Sequence, residues 1–299
     1  MKKKKRNCFE GWYFREQSRD LTIAFIPALH YDEEGRMTGS LQVVFPEKSW
    51  FIAYDHPVNM NLPDSLFVVL GKNVFTEACI HLDIDEPGLS IKGDIYFDHE
   101  PGAKFHVMGP LGVPGVAGLL KTAGMLPCGH KIWAMEQELS GALLINGEEV
   151  TFDGGKGYME EDHGTTFPKN YFWTQCNWFG EKPLRISCAG VELPFAGGRK
   201  TLMGCFACID QGGYKVKLAT YRGAKVEAYS QEGFRIRQGK YLLEGWKMEG
   251  KPVKLQAPLG SAMSERTEEY LKCTARYKLS HNGETIFDEI SQRAAYEFR

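Results

Sequence analysis

The chain has 299 residues, of which 43% are hydrophobic and 25% are charged, and its formal net charge is -2. This length accommodates one large domain or two ordinary ones, and the composition excludes the disordered and fibrous classes. The near-neutral charge argues against nucleic acid or an anionic membrane surface as the main partner.

The chain begins with a short basic run, MKKKKR, which predicts a solvated, disordered tail over residues 1–8. No apolar segment of the kind found in signal peptides follows the lysines. The most apolar stretch, residues 109–127, contains three prolines, five glycines and a lysine, which excludes a membrane-spanning helix. We therefore expect a cytoplasmic protein without stable membrane insertion, whose eight cysteines are reduced.

Short β-rich segments separated by Gly, Pro, Asn or Asp dominate the sequence and predict an all-β, antiparallel protein with little helix. Strands are predicted at residues 21–31, 40–45, 49–54, 66–70, 90–97, 201–209, 214–221, 241–248 and 270–279. Asn-Gly pairs at 146–147 and 282–283 predict two tight hairpins. Residues 115–124 could form a short helix, although their glycines favour an irregular lid.

A weak internal repeat divides the chain. LLINGEEVTFD followed by GYMEE resembles KLSHNGETIFDE followed by AAYEF near the C-terminus. The repeat predicts two similar β-domains joined near residues 155–170. Antiparallel sheets of many short strands close into barrels or stack as sandwiches. We expect a ligand site at a barrel mouth or between the two barrels.

The segment GKGYMEEDHG, residues 155–164, concentrates candidate catalytic groups. An extended backbone directs Tyr158, Glu160 and Asp162 to one face, and Glu161 and His163 to the other. Two carboxylates on one face repel, so that one of them tends to keep a proton near neutral pH. Glu160 and Asp162 are thus candidate general acids. A solvated, acidic hairpin end is an equal alternative.

Two further segments place polar groups beside aromatic rings. In FEGWYF, Glu10 and Trp12 share a face, so that Glu10 either pairs with a cation at a barrel end or lies in an apolar site. The pairing is the favoured reading. In YFWTQCNWF, Trp173, Gln175 and Asn177 share a face, which is typical of a pocket wall that holds a ring with a polar edge.

Metal sites have less support. The eight histidines form no HxH or HExxH motif. Glu161, Asp162 and His163 could bind a metal only with another histidine, of which His130 is the best candidate, and a structural role is favoured for it. The CxxC motif at 205–208 lies in a predicted strand, where its cysteines point to opposite faces. We expect neither a metal nor a cofactor.

Three motifs, FEGWYF, GKGYMEEDHGTTFPKNYFWTQCN and ATYRGAKV, resemble the tocopherol cyclase family, and the similarity runs from residue 9 to the C-terminus. The resemblance implies two lipocalin-like (calycin-type) β-barrels in tandem, which we predict at residues 9–163 and 164–299. It also implies the family's reaction, in which a prenyl double bond of a quinol is protonated and the phenolic oxygen captures the resulting cation. That reaction requires neither metal nor redox cofactor.

The resemblance also implies roles for individual residues. Glu160 or Asp162 would be the acid, and Glu10 would be a second acid or an orienting group. The residues implied to bind the substrate are Trp12, Tyr158, His163, Trp173, Gln175 and Asn177. His163 stands where the family pattern has Trp, and Glu161 stands where it often has Lys, so this site is more acidic and less apolar than the pattern.

The expected function is that of a tocopherol cyclase-like intramolecular lyase or isomerase. It would cyclise or hydrate a prenylated quinol-like or other unsaturated apolar molecule by acid catalysis without a cofactor. The alternative is a non-catalytic, lipocalin-like carrier of a small hydrophobic molecule. In both cases the partner is a small apolar molecule and not a nucleic acid.

Overall fold

The structure is a computed structural model that describes residues 5–60, 65–98, 128–195, 200–259 and 262–299. Across these ranges the chain forms two antiparallel sheets and one turn of 3-10 helix at Thr220–Arg222. In the same ranges, no helix has the length and apolar character needed to cross a bilayer. The predicted helix or lid at 115–124 lies outside the described residues.

The first sheet contains twelve strands. They are β1 (Cys8–Gln17), β2 (Thr22–Tyr31), β3 (Met37–Val44), β4 (Ser49–Tyr54), β5 (Val58–Asn59), β6 (Phe67–Leu70), β7 (Asn73–Thr76), β8 (Cys79–Glu86), β9 (Leu89–Asp98), β10 (Cys128–Ile145), β11 (Glu148–Thr151) and β12 (Gly155–Gly164). Their order is β4-β3-β2-β1-β12-β10-β9-β8-β7-β6-β5, with β11 paired to β10.

The second sheet contains ten strands. They are β13 (Tyr171–Cys176), β14 (Leu184–Phe195), β15 (Lys200–Gln211), β16 (Tyr214–Ala219), β17 (Lys225–Ser230), β18 (Gly233–Gln238), β19 (Tyr241–Gly250), β20 (Val253–Leu259), β21 (Ala262–His281) and β22 (Glu284–Phe298). Their order is β16-β15-β14-β13-β22-β21-β19-β18-β17, with β20 paired to β21.

Each sheet curls into a nearly closed barrel whose two ends approach each other. In the first barrel, the Asn73 amide donates to the Tyr54 hydroxyl at 3.0 Å. In the second, the backbone N–H of Ala219 donates to Gln238 Oε1 at 2.9 Å. A separate apolar core fills each barrel. The all-β, two-barrel architecture predicted from the sequence is therefore confirmed.

The internal repeat is visible in the strand order. Each sheet begins with a four-strand meander, β1–β4 or β13–β16, and in each sheet the first strand pairs with the last. Both predicted Asn-Gly hairpins form, because Asn146 and Asn282 adopt φ values of 50° and 54° and are each followed by a glycine with positive φ. The first sheet ends at Gly164 and the second begins at Tyr171, whereas the division into domains at 163/164 stays a prediction.

For two predicted strands, the structure shows why the observed bounds differ. β21 begins at Ala262 rather than at residue 270, because its first half pairs with β20, a partner that local sequence does not identify. The predicted strand at 214–221 ends at Ala219, where the 3-10 turn begins and Gly223 closes it in the left-handed conformation, with φ of 88°.

The two barrels pack face to face through β1 and β13. Three side-chain pairs separated by 160 residues meet across the contact, so that equivalent positions of the repeat touch each other. The pairs are Tyr13–Trp173, Arg15–Gln175 and Gln17–Asn177. A third apolar cluster, with residues from both barrels, surrounds this contact.

Arg15 is the central polar group of the interface and is fully buried. Its guanidinium donates to the carbonyl of Leu271 at 2.9 Å, to the carbonyl of Arg293 at 2.9 Å and to Gln175 Oε1 at 3.0 Å. A cation of the first barrel thus satisfies backbone and amide oxygens of the second. Buried polar groups are costly without such partners, so the contact fixes the relative position of the barrels.

We expect Arg15→Ala to lower the free energy of unfolding by about 3 kcal/mol or more, because the substitution leaves buried carbonyls unpaired and opens a cavity. Urea denaturation measures the change. Arg276→Ala is the matched control, since Arg276 pairs with Asp288 on the exposed surface and its loss should change stability far less. Equal losses in the two variants would contradict the role assigned to Arg15.

Candidate active site

A cavity of about 290 Å³ lies between the barrels, and strands of both sheets line it. Trp12 and Ile26 of the first barrel and Trp173, Val191 and Phe206 of the second supply apolar surface. Strands of both barrels line this space, so a ligand held in it would contact both barrels. The sequence analysis offered a barrel mouth or the space between the barrels as the ligand site, and this cavity lies between the barrels.

Glu160 is the buried acid of this cavity, with 5% of its surface exposed. Its Oε2 accepts hydrogen bonds from the Tyr158 hydroxyl at 2.5 Å and from Trp173 Nε1 at 3.1 Å. Burial raises the pKa of Glu160 to about 7, against the opposing effect of His130 and of these hydrogen bonds. Glu160 can therefore hold a proton at neutral pH inside an apolar cavity.

His130 connects Glu160 to the more exposed Asp162. Its Nδ1 lies 2.9 Å from Asp162 Oδ1, and its Nε2 lies 3.3 Å from Glu160 Oε2. The ring stacks on Phe206 with centroids 5.1 Å apart. Burial lowers the pKa of His130, but the two carboxylates outweigh burial and raise the value to about 9. The imidazole is therefore charged at neutral pH and bridges an inner and an outer carboxyl group.

The alternation of β12 matches the faces predicted from the sequence. Tyr158, Glu160 and Asp162 point toward the second barrel. Glu161 points to the opposite side, where its Oε2 accepts from Trp133 Nε1 at 2.9 Å, and His163 Nδ1 lies 3.4 Å from Glu161 Oε1. His163, predicted to bind the substrate, is therefore not placed at the cavity.

Tyr158 and Trp12 take positions that differ from a simple pocket lining. Tyr158 is fully buried behind Glu160, where its hydroxyl also contacts Ser187 Oγ at 2.9 Å. Trp12 packs in the core of the first barrel and reaches the cavity at its edge. Of the predicted binding residues, Trp12 and Trp173 thus touch the cavity, and Tyr158 supports the acid.

Glu10 lies away from the cavity. It forms an ion pair with Lys5 and accepts a hydrogen bond from the Tyr31 hydroxyl at 3.4 Å, and Tyr31 belongs to the core of the first barrel. This is the cation pairing that the sequence favoured for Glu10. The geometry does not support a second acid role at this position.

Gln175 and Asn177 do not hold a ligand in this structure, in contrast to the role implied by the resemblance. Arg15 donates a hydrogen bond to Gln175 Oε1 at 3.0 Å, and Gln17 donates to Asn177 Oδ1 at 2.7 Å. The Asn177 amide donates to the Gly157 carbonyl at 3.0 Å. Both amides are used to join the barrels, which explains why polar groups follow the rings of β13.

A second group of acids lies on the wall that the second barrel contributes. Glu297 borders the cavity, and its Oε2 accepts from the Tyr171 hydroxyl at 2.6 Å. Glu269 stands opposite Glu297 on the neighbouring strand and accepts from the Tyr13 hydroxyl. Burial raises the pKa of Glu297 to about 7 and that of Glu269 to about 8. Sequence reasoning did not single out either acid, although the repeat aligns AAYEF, which contains Glu297, with GYMEE.

His130, Glu160 and Asp162 are also the group in the described residues whose donor atoms, within 4.8 Å of one another, could hold a metal ion. The alternative metal site on Glu161 and His163 does not form, because these side chains point away from His130. In the observed arrangement, both ring nitrogens of His130 face carboxylates. This geometry suits proton transfer, and a metal would require the nitrogen that binds it to be unprotonated.

Comparison with known proteins places this architecture in a family. A family model described as tocopherol cyclase-like matches residues 113–297, more than half of the chain. The chain belongs to the tocopherol cyclase-like family. No curated protein matches its sequence.

Two solved structures are similar to this chain over nearly its whole length. Kievitone hydratase from Nectria haematococca aligns with a TM-score of 0.50 and 11% identity over 97% of this chain and 88% of that one. A candidate AttH from Nitrosomonas europaea aligns with a TM-score of 0.49 and 10% identity, over 97% of this chain and 92% of that one. The lipocalin-like, two-barrel fold expected from the sequence is confirmed.

Stability should fall as the pH rises through neutrality. Glu160, Glu269 and Glu297 keep protons in the folded protein up to a pKa of about 7 or 8, whereas glutamates of an unfolded chain release them near pH ~4.3. The folded state therefore binds more protons between these values, and the free energy of unfolding decreases as pH rises. His130, with a pKa of about 9, acts in the same direction at higher pH.

Urea denaturation at a series of pH values across this range measures the slope. Glu269→Gln should make the slope shallower, because it removes one of the groups that titrate between the two states. A stability that rises with pH in the same interval would contradict the protonated state of these acids.

We expect chelation to leave the protein folded. Treatment with EDTA followed by dialysis should not change the thermal unfolding temperature, because both His130 nitrogens lie within ion-pair distance of carboxylates. Elemental analysis of the untreated protein is the companion measurement. A lower unfolding temperature that zinc restores would instead assign the three side chains to a metal.

Proposed function

We propose that the protein is an acid-catalysed cyclase or hydratase of an unsaturated apolar molecule, with a prenylated quinol as substrate class and Glu160 as the proton donor. The observation that carries the proposal is a carboxyl group with a pKa of about 7 at the wall of a mostly apolar cavity. A general acid is most effective when its pKa lies near the working pH.

Glu160 would transfer its proton to one carbon of a substrate double bond, and the adjacent carbon would become a tertiary cation. The indole rings of Trp12 and Trp173 border the cavity and would stabilise this positive charge. A phenolic oxygen of the same molecule would then close a ring, or water would add to give an alcohol. Neither ring closure nor addition of water is a net oxidation or reduction, so the reaction needs no redox cofactor.

His130 and Asp162 would return the proton to Glu160 after each reaction. Asp162 is the more exposed carboxyl, and His130 lies between it and the buried Glu160. A charged imidazole can release the proton of Nε2 toward Glu160 and regain one at Nδ1 from the side of Asp162. The chain of three groups therefore connects solvent to the acid without admitting water to the cavity.

A carrier of a hydrophobic molecule is the alternative function. A carrier requires the apolar walls of the cavity. It does not require a buried acid held by several neighbouring side chains. The convergence of Tyr158, Trp173 and His130 on Glu160 therefore favours catalysis. Mass spectrometry of apolar material that copurifies with the protein would identify the molecule in either case.

We expect Glu160→Gln to reduce cyclisation of dimethylallyl hydroquinone by at least about 100-fold, the usual contribution of a general acid. Asp162→Asn should also abolish turnover, because it interrupts reloading. Binding of the same hydroquinone, measured by tryptophan fluorescence, should persist in both variants. Glu161→Gln is the matched control, since this neighbouring carboxylate faces away from the cavity and its loss should preserve turnover.

Unchanged turnover in Glu160→Gln and Asp162→Asn would contradict the catalytic proposal and leave the carrier. The pH dependence offers a second check. Turnover should decline as pH rises above about 7, because Glu160 then loses the proton that the reaction consumes.

A further inference from the structure

A partly buried carboxyl that the proposed mechanism leaves unused faces the same cavity from the second barrel. Glu297 borders the cavity, and its carboxylate accepts from the hydroxyl of Tyr171, which itself lies 3.2 Å from Thr267 Oγ1. Tyr171 and Thr267 also line the cavity. An acid held in this way has a defined orientation toward the space that a ligand would occupy.

The repeat relates Glu297 to Glu160. Glu160 stands opposite Tyr13 in the pairing of β1 with β12, and Glu297 stands opposite Trp173 in the pairing of β13 with β22. Tyr13 and Trp173 are themselves equivalent in the repeat and pack edge to face with centroids 5.5 Å apart. The two acids thus occupy corresponding positions of the two barrels and meet at one cavity.

Their surroundings give the two acids different protonation. Glu160 receives hydrogen bonds from Tyr158 and Trp173 and lies beside His130, which can supply a proton. Glu297 stands directly opposite Glu269, and two carboxylates side by side cannot both ionise easily. Glu269 is fully buried, whereas Glu297 is only partly buried and borders the cavity. Because burial disfavours the charged form, Glu269 keeps the proton and Glu297 is the member that ionises.

We propose that Glu297 is the base of the reaction, which accepts the proton of the attacking hydroxyl while Glu160 donates its proton to the double bond. This assignment rests on the proposed function. In the balanced step, the π electrons take the proton of Glu160, an oxygen lone pair forms the C–O bond, and the O–H proton passes to the Glu297 carboxylate. Glu160 loses one proton, Glu297 gains one, and the substrate is isomerised.

With this assignment, the rate of ring closure depends on pH both above and below neutrality. It needs Glu160 protonated and Glu297 ionised, so the rate should fall above and below a maximum near pH ~7. Glu297 then releases its proton to solvent, and His130 delivers a proton to Glu160. The acid limb of this profile is measured on the wild-type protein and does not depend on any variant folding correctly.

The decisive experiment follows dimethylallyl hydroquinone in deuterium oxide with Glu297→Gln. We expect ring closure to fall about 100-fold, while deuterium still enters the recovered alkene, because Glu160 protonates it and then takes a proton back. Glu160→Gln should show neither ring closure nor deuterium. Glu192→Gln is the matched control: Glu192 accepts from Tyr229 at 2.5 Å in a similar tyrosine–glutamate pair away from the cavity. This variant should behave as the wild type.

The outcomes separate the two proposals. Normal ring closure in Glu297→Gln together with an inactive Glu160→Gln would overturn the base and keep the acid. Loss of both ring closure and deuterium entry in a folded Glu297→Gln would also overturn it, since a base is not needed for protonation. A wild-type rate that stays constant as the pH falls from ~7 to ~5 would do the same. A wild-type protein that neither closes the ring nor exchanges deuterium would contradict the proposed function itself.

Discussion

The buried guanidinium of Arg15 is the contact on which the site depends, because it fixes how two separately packed barrels meet. Each barrel is filled by its own apolar core, so neither barrel holds the site alone. The cavity exists because the barrels touch along β1 and β13 and separate beside that line. Hydrogen bonds from Arg15 to two backbone carbonyls set the spacing of the walls in a way that apolar contacts, which have no direction, would not.

The same lack of solvent that creates an apolar site creates its reactive groups. Carboxyls that would ionise at pH ~4.3 in water keep their protons to neutrality here, because water no longer stabilises the charge. Because these buried acids must ionise as the pH rises, the folded protein is less stable at higher pH. Strongly shifted pKa values of this kind are common at functional sites. His130 pairs with Glu160 and Asp162 and, in the proposed mechanism, is the group through which protons reach Glu160.

Local patterns in the sequence predicted the elements whose cause is local. The Asn-Gly hairpins form, and the two faces of β12 follow from simple alternation, so that Glu160 and Asp162 were separated correctly from Glu161 and His163. The repeat predicted two barrels, because matching turns and strands recur in the same order. The position of the join followed from that recurrence.

Contacts between the barrels could not be predicted from either barrel's sequence. Gln175 and Asn177 have the composition of a ligand-binding wall, but Arg15 and Gln17 reach them first. The sequence indicated His130 only as a possible metal ligand with a favoured structural role, because its carboxylate partners are about thirty positions away in the chain. Its position between Glu160 and Asp162 depends on the pairing of β10 with β12, whose register is shifted by bulges that the sequence does not reveal.

The equivalence of Glu160 and Glu297 has a consequence for how such a site can change. In a symmetric dimer of a single barrel, every substitution would appear twice, and two identical acids would face each other across the axis. With both copies in one polypeptide, a mutation alters one copy only. The surroundings of the two acids can therefore diverge, so that one acid holds a proton and the other accepts one. A cavity with a donor on one side and an acceptor on the other can arise in this way from a duplicated barrel.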